Sequence, residues 1–479
     1  MRRPWNQNRE ETSVRIGERA AYCGIRLVAA IAILIYCVPL AAIHGGDKPA
    51  ASRPPMGWNS WDSYGTAVRE EQVKANADAM ARELLRFGWQ YIVVDVQWYE
   101  PNAGGHDYRA GAPLTMDEYG RLLPATNRFP SAVGADGFKN LAAYVHGKGL
   151  KFGIHIMRGI PRQAAEKNLP ILGTSYRAAE IADRTNVCEW NQDMYGVNMS
   201  KPGAQAYYDS IVALYASWGV DFIKADDMSR PYALRAPEVH ALSSAIRKSG
   251  ASIILSLSPG PAPISEAADL RNNAQMWRIS DDFWDDWKLL KKQFDYTRDW
   301  APYIGKDDSW PDADMLPLGK LRITDKNGAP QQTRFTADEQ QTMMTLWCMF
   351  RSALIFGGDL PSADSATLAL LTNREVLEID QNSSANRQVL EHGDIRVWTA
   401  DAPKSQDKYA AAFNLGNAAV TIHLDWTDVE IEIANPAVRD LWLHKDLGRR
   451  KNLDATLRPH GSVLYRVSPQ AQTRLRGLP

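Results

Sequence analysis

GAQAYYDSIVALYASWGVDFIKADD, residues Gly203–Asp227, sets out the building plan of the chain. A helical stretch runs through Ala216, Gly219 makes a turn, and an apolar strand leads into Asp226. Leu141–Met157, LAAYVHGKGLKFGIHIM, repeats helix, glycine turn and strand. Upstream, Val73, Ala77, Met80 and Leu84 keep helical spacing ahead of the strand YIVVDVQW, Tyr91–Trp98. SIILSLSPG (Ser252–Gly260), AQMWRISDD (Ala274–Asp282) and SALIFGGDL (Ser352–Leu360) read as further buried strands. Largely apolar strands separated by amphipathic helices predict a parallel sheet covered on both faces. Strands are expected near 55–61, 91–98, 151–157, 222–228, 253–259, 276–282, 309–316 and 352–360. Eight such units predict an α/β fold, a (β/α)8 TIM barrel.

Almost every predicted strand ends in a polar residue: Asp62, Asp95, His155, Asp226, Ser258, Asp282, Asp314 and Asp359. The carboxyl ends of barrel strands build the active site in this fold. Meeting solvent explains one or two polar ends, but not eight. The long stretch Gly159–Ser200, with Trp190, lies between the third and fourth strands and is expected to shape that site.

From about Arg387 the pattern changes to short alternating segments such as DIRVWTA, YAAAFNL and SVLYRV. These predict a C-terminal antiparallel β-sandwich. The expected divisions are a leader and linker at 1–50, the catalytic barrel at 51–383, the sandwich at 384–470 and a loose tail at 471–479. In the leader, several arginines precede the apolar run Leu27–Ile43, which reads as a signal peptide with a membrane anchor as the alternative. The body is therefore expected to be exported, periplasmic or secreted. Cys188 and Cys348 are the two cysteines beyond it, so no disulfide framework is expected, although one bridge between them is conceivable. A net charge of −1 over 479 residues gives no footprint for a nucleic-acid partner. Nothing in the sequence sets the oligomeric state.

Two strand ends carry the chemistry. Lys224 and Asp226 share a face of the fourth strand, and a nearby lysine keeps an aspartate ionised. In WRISDDFWDDW, Trp277–Trp287, strand parity puts Arg278, Ser280 and Asp282 on one side and Asp281 on the other. Asp282 would then need burial or a carboxylate neighbour to raise its pKa and make it a proton donor. Two carboxylates with opposed shifts are the working parts of a glycosidase. A metal site built from Asp226, Asp227, Asp281, Asp282, Asp312 and Asp314 is the rival, disfavoured because Lys224 and Arg278 would repel a cation. No cofactor is expected.

Seven motifs in order resemble glycoside hydrolase family 27, the α-galactosidase and α-N-acetylgalactosaminidase family: PPMGWNSWDSYG (Pro54–Gly65), YIVVDVQW, GLKFGIH, SWGVDFIKADD, WRISDDFWDDW, SWPDADML and LTNREVLEIDQN. The resemblance implies a retaining mechanism with Asp226 as nucleophile and Asp282 as acid/base. It implies sugar contacts at Trp61, Asp95, Lys224 and Arg278, and the strand ends His155, Ser258 and Asp314 complete the expected substrate-binding set. A carbohydrate is the implied partner.

The match departs from the family in its specificity residues. The usual paired aspartates of strand two, which hold the axial 4-hydroxyl and the 6-hydroxyl, are here Asp95 and Val96, followed by Gln97. His155 stands where a tyrosine is usual, and is read first as a neutral structural histidine. LSPG, Leu257–Gly260, replaces the cysteine-containing motif of strand five, and Met228 replaces a cysteine near the nucleophile. The first expectation is removal of terminal α-D-galactosyl units. The alternatives are another terminal sugar, such as β-L-arabinopyranoside, α-N-acetylgalactosaminide or an isomaltose unit, and more remotely a non-catalytic glycan-binding protein.

Overall fold

Eight short parallel strands form the centre of the computed structural model, which describes residues 51–325 and 331–469. The predicted leader and the loose tail at 471–479 lie outside the described residues. The strands are β1 (Met56–Asn59), β2 (Tyr91–Val94), β3 (Lys151–Met157), β4 (Phe222–Asp226), β5 (Ile254–Leu257), β6 (Met276–Arg278), β7 (Trp310–Asp312) and β8 (Leu354–Phe356). They pair in sequence order, and β8 returns to β1 with Leu354 opposite Met56. Leu316, just beyond β7, closes the ring: its N–H donates to Ile355 O at 2.8 Å and its carbonyl accepts from Gly357 N at 3.0 Å. Eight principal helices follow the strands: α1 (Glu70–Glu83), α2 (Lys139–His146), α3 (Ala204–Ser217), α4 (Tyr232–Ser249), α5 (Ala267–Asn273), α6 (Trp287–Trp300), α7 (Ala337–Phe350) and α8 (Arg374–Asn382).

Each strand falls where its apolar run predicts it, but most are shorter. β6 ends at Arg278, four residues before its expected end: the Ile279 N–H still donates to Asp312 O of β7 at 2.9 Å, but the N–H groups of Asp282 and Phe283 turn to the carboxylates of Asp281 and Asp314. The segment 159–200 is less irregular than expected. It folds a small antiparallel sheet from 160–161, 182–187 and 194–197, with two short helices.

The C-terminal part is a six-stranded antiparallel sheet facing a two-stranded one. The strands are β9 (Ser384–His392), β10 (Ile395–Asp401), β11 (Lys408–Asn414), β12 (Val420–Asp425), β13 (Ala437–Asp440), β14 (Lys445–Arg449), β15 (Asn452–Leu457) and β16 (Ser462–Ser468). The large sheet runs β9-β10-β11-β16-β13-β14, and β12 pairs with β15. Strand alternation gives it two apolar faces. Val397, Ala410, Ala412 and Val467 pack toward Ile422 and Leu453 of the small sheet. Trp398, Ala411, Phe413 and Leu464 instead join the barrel core with Trp347 and Phe350 of α7. Polar contacts accompany this seam: Thr342 donates to His460 O at 2.7 Å, and Trp287 stacks on the His460 ring at 3.8 Å. Cys188 and Cys348 are both buried free thiols, so the conceivable bridge is absent.

Candidate active site

A cavity of about 330 Å³ opens at the carboxyl ends of the barrel strands. Asp226 ends β4 and lines it. One carboxylate oxygen accepts from the Asp227 N–H at 2.9 Å and from Ser258 Oγ at 3.1 Å. The other lies 3.2 Å from His155 Nε2. Burial alone would push this carboxyl up. The hydrogen bond from His155, the Lys224 ammonium and the Asp227 N–H overcome it and hold Asp226 well below the usual carboxylate range.

The residue after it is held with equal care. Asp227 has a φ of +58°, a conformation that L side chains rarely adopt. Its buried carboxylate accepts from Arg158 at 2.6 and 2.9 Å and from Arg235 at 3.0 Å. Arg158 also pairs with the buried Glu238 at 2.5 Å. This cluster turns the Asp227 N–H onto Asp226. Sequence reading named Asp227 only in the metal rival. The acid cluster that rival relied on is paired with Arg158, Arg230, Arg235 and Arg278, and among the described residues no trio of His, Cys, Asp or Glu is placed to hold a metal.

Lys224 lines the cavity but donates to Asp95 at 3.0 Å rather than to Asp226. Asp95 also accepts from Asn59 at 2.7 Å. Its neighbours Val96 and Gln97 are both buried outside the cavity lining, and Gln97 donates to Asp193 at 2.6 Å. Strand two therefore offers the cavity one carboxylate.

Across the cavity, Arg278 Nη2 bridges Asp314 at 2.7 Å and Asp282 at 3.2 Å. Asp314 also accepts from Phe283 N at 2.7 Å. Burial and the charge of Asp282 push Asp314 up, to about 7, against the pull of Arg278. Asp282 lines the cavity with its side chain 60% exposed, so of the two settings expected for it burial is absent, while a carboxylate neighbour, Asp314, shares the Arg278 guanidinium with it. Strand parity does not place it either, since β6 stops at Arg278 and Ser280 turns away to Gln293. Asp281 lines the cavity too, paired to Arg230 at 2.9 Å. The other aspartates of WRISDDFWDDW are structural. Asp285 is held by Arg322 and Arg334, and Asp286 caps α6 by accepting from Lys288 N at 2.7 Å.

Of the expected substrate-binding set, Trp61, Asp95, Lys224, Arg278, Ser258 and Asp314 line the cavity. His155 does not. Its ring is fully buried beneath Asp226, so it touches a carboxylate and not the cavity. Sequence reading missed Tyr108, Arg230 and Trp284; it placed Asp62 among the site-building strand ends and Trp190 in the stretch expected to shape the site, without giving either a contact of its own. Tyr108 stacks on Trp61 at 6.1 Å but comes from an irregular loop with no periodic signal. Gly260 lets the LSPG turn pass β6, since a side chain there would meet the carbonyl of Ser280.

The profile of the α-galactosidase A family matches residues 53–200 and 163–382, and that of the α-galactosidase C-terminal β-sandwich matches 392–467. The chain belongs to glycoside hydrolase family 27 and is a glycosidase. It is 51% identical to a family 27 β-L-arabinopyranosidase of Geobacillus stearothermophilus, with a TM-score of 0.85, over 89% of this chain and 98% of that one. It is 30% identical to an α-galactosidase of Coffea arabica, over 87% of this chain and 94% of the relative. Against α-galactosidase 2 of Arabidopsis thaliana the identity is 29%, over 87% and 90%.

Proposed function

We propose that this family 27 glycosidase removes terminal β-L-arabinopyranosyl units with retention of configuration. Asp226 attacks the anomeric carbon while Asp282 passes its proton to the leaving oxygen as the glycosidic bond breaks. The product of this step is a glycosyl ester on Asp226. Asp282, now a base, takes a proton from water, whose oxygen attacks the same carbon and frees Asp226. The depressed pKa of Asp226 suits a nucleophile that must be ionised.

The observation that carries the sugar assignment is the single carboxylate offered by strand two. β-L-Arabinopyranose has the ring configuration of α-D-galactopyranose without the hydroxymethyl group at C6. A cavity with Asp95 present and Val96 and Gln97 turned away lacks a strand-two partner for a 6-hydroxyl. The 51% identity to a β-L-arabinopyranosidase supports the same reading. The second reading is α-galactosidase, favoured by the names of the Coffea arabica and Arabidopsis thaliana relatives.

Hydrolysis of nitrophenyl β-L-arabinopyranoside, α-D-galactopyranoside and α-N-acetylgalactosaminide separates them. The expected result is a kcat/KM for the arabinopyranoside at least about tenfold above the others, the scale of one missing small group. A preference for the galactoside selects the second reading. Asp226→Asn is expected to lower kcat by about 10³-fold or more. A 2-fluoro arabinopyranosyl fluoride should label the Asp226 peptide, as seen by mass spectrometry.

A further inference from the structure

Asp62 sits on the short helical turn Trp61–Tyr64 directly after β1, and it lines the same cavity as Asp95, Lys224 and Asp314. Its surroundings are tightly bonded. Its carbonyl accepts from Arg322 N at 2.8 Å, and that of Ser63 accepts from Ile323 N at 2.6 Å. Ser63 Oγ donates to Gly357 O at 2.5 Å, and the Tyr64 hydroxyl donates to Asp359, so the turn is fastened to the exit of β8. β8 also makes room for the carboxyl. A side chain at Gly357 would meet Asp62 Oδ2 at 1.9 Å.

Yet the carboxyl itself has no hydrogen-bond partner among the described residues. Asp62 is only 2% exposed, and Oδ2 is buried and unsatisfied. A buried polar group left so costs about 1–3 kcal/mol, and sites that keep one do so for a ligand or a reaction. The charges acting on it are those of Asp314, Lys224, Arg322 and Asp95.

We propose that Asp62 is a substrate-binding residue whose carboxyl hydrogen-bonds a ring hydroxyl of the terminal pyranose. This rests on the reading of the cavity as a terminal-pyranose site. Burial, reinforced by Asp314, pushes Asp62 well above the usual carboxylate range, so it can donate as well as accept. An ionised carboxylate there would only accept.

Because no described residue holds this carboxyl, its removal is expected to act oppositely on ligand and fold. Calorimetric titration of the full chain with L-arabinose and with D-galactose, beside thermal melts without sugar, reads both. Asp62→Ala is expected to weaken binding of the preferred monosaccharide at least tenfold while leaving the sugar-free Tm equal or higher. Asp62→Asn, which keeps a donor and an acceptor, is expected to stay within about threefold of the wild type. Unchanged affinity in Asp62→Ala overturns the proposal. So does a lowered sugar-free Tm in both variants, which marks a structural group. If the wild type prefers galactose, the arabinose assignment fails while the Asp62 comparison stands on galactose.

Discussion

His155 and Asp226 show how much one buried contact sets. The imidazole lies under the carboxylate at 3.2 Å and supplies the first of the effects that hold Asp226 ionised. A depressed carboxyl pKa means the group stays charged as the pH falls, until the pH reaches the folded-state value. The acid limb of the kcat/KM profile is therefore expected well below the usual aspartate range. His155→Phe removes the donor, so that limb should move up toward the ordinary value, read from kcat/KM against pH. Stability follows the same sign. The contribution of ionised Asp226 is present above its unfolded pKa and is lost as pH falls through the folded one.

At the scale of an element, the exit of β4 depends on a buried ion cluster remote from the cavity. Asp227 keeps its left-handed φ because Arg158 and Arg235 hold its carboxylate. Asp227→Ala leaves the buried Arg235 without its carboxylate, takes one of two carboxylates from Arg158, and favours another backbone shape. A loss of about 3–5 kcal/mol is expected from breaking such buried pairs, with kcat falling more than KM because the N–H on Asp226 moves. Asp227→Asn keeps one accepting oxygen for one of the two arginines and tolerates the conformation, so it should lose less of both. Denaturant unfolding and steady-state kinetics of the two variants check this. The signal for this element was legible only in part. FIKADD placed Asp226 at a strand end, but Arg158 follows β3, and Arg235 and Glu238 lie on α4.

Across the whole molecule, the sandwich shares its core with the barrel. Trp398 on β10 is fully buried and meets Phe350 of α7 edge-on at 6.4 Å. Trp398→Ala is expected to cost about 3–5 kcal/mol, the usual price of a large core truncation. Barrel and sandwich should still unfold in one calorimetric transition at a lower Tm. Since Trp398 is far from the cavity lining, kcat/KM at room temperature should not change. Two separate transitions would show that the shared core does not couple the two parts.

The sequence alone determined the barrel, its eight strand positions, the sandwich and about half of the cavity's residues. Those features rest on local periodicity and on strand ends, which repeat along the chain and need no long-range contact to be read. Tertiary structure decided the rest. It set His155 below Asp226 instead of in the cavity, gave Lys224 to Asp95, and left Asp282 exposed beyond a strand too short for parity to reach it. It also brought Asp62 into the cavity with no hydrogen-bond partner for its carboxyl among the described residues. Burial, charge and hydrogen-bond partners at these positions depend on groups far apart in the chain, and no local pattern records which of them will meet.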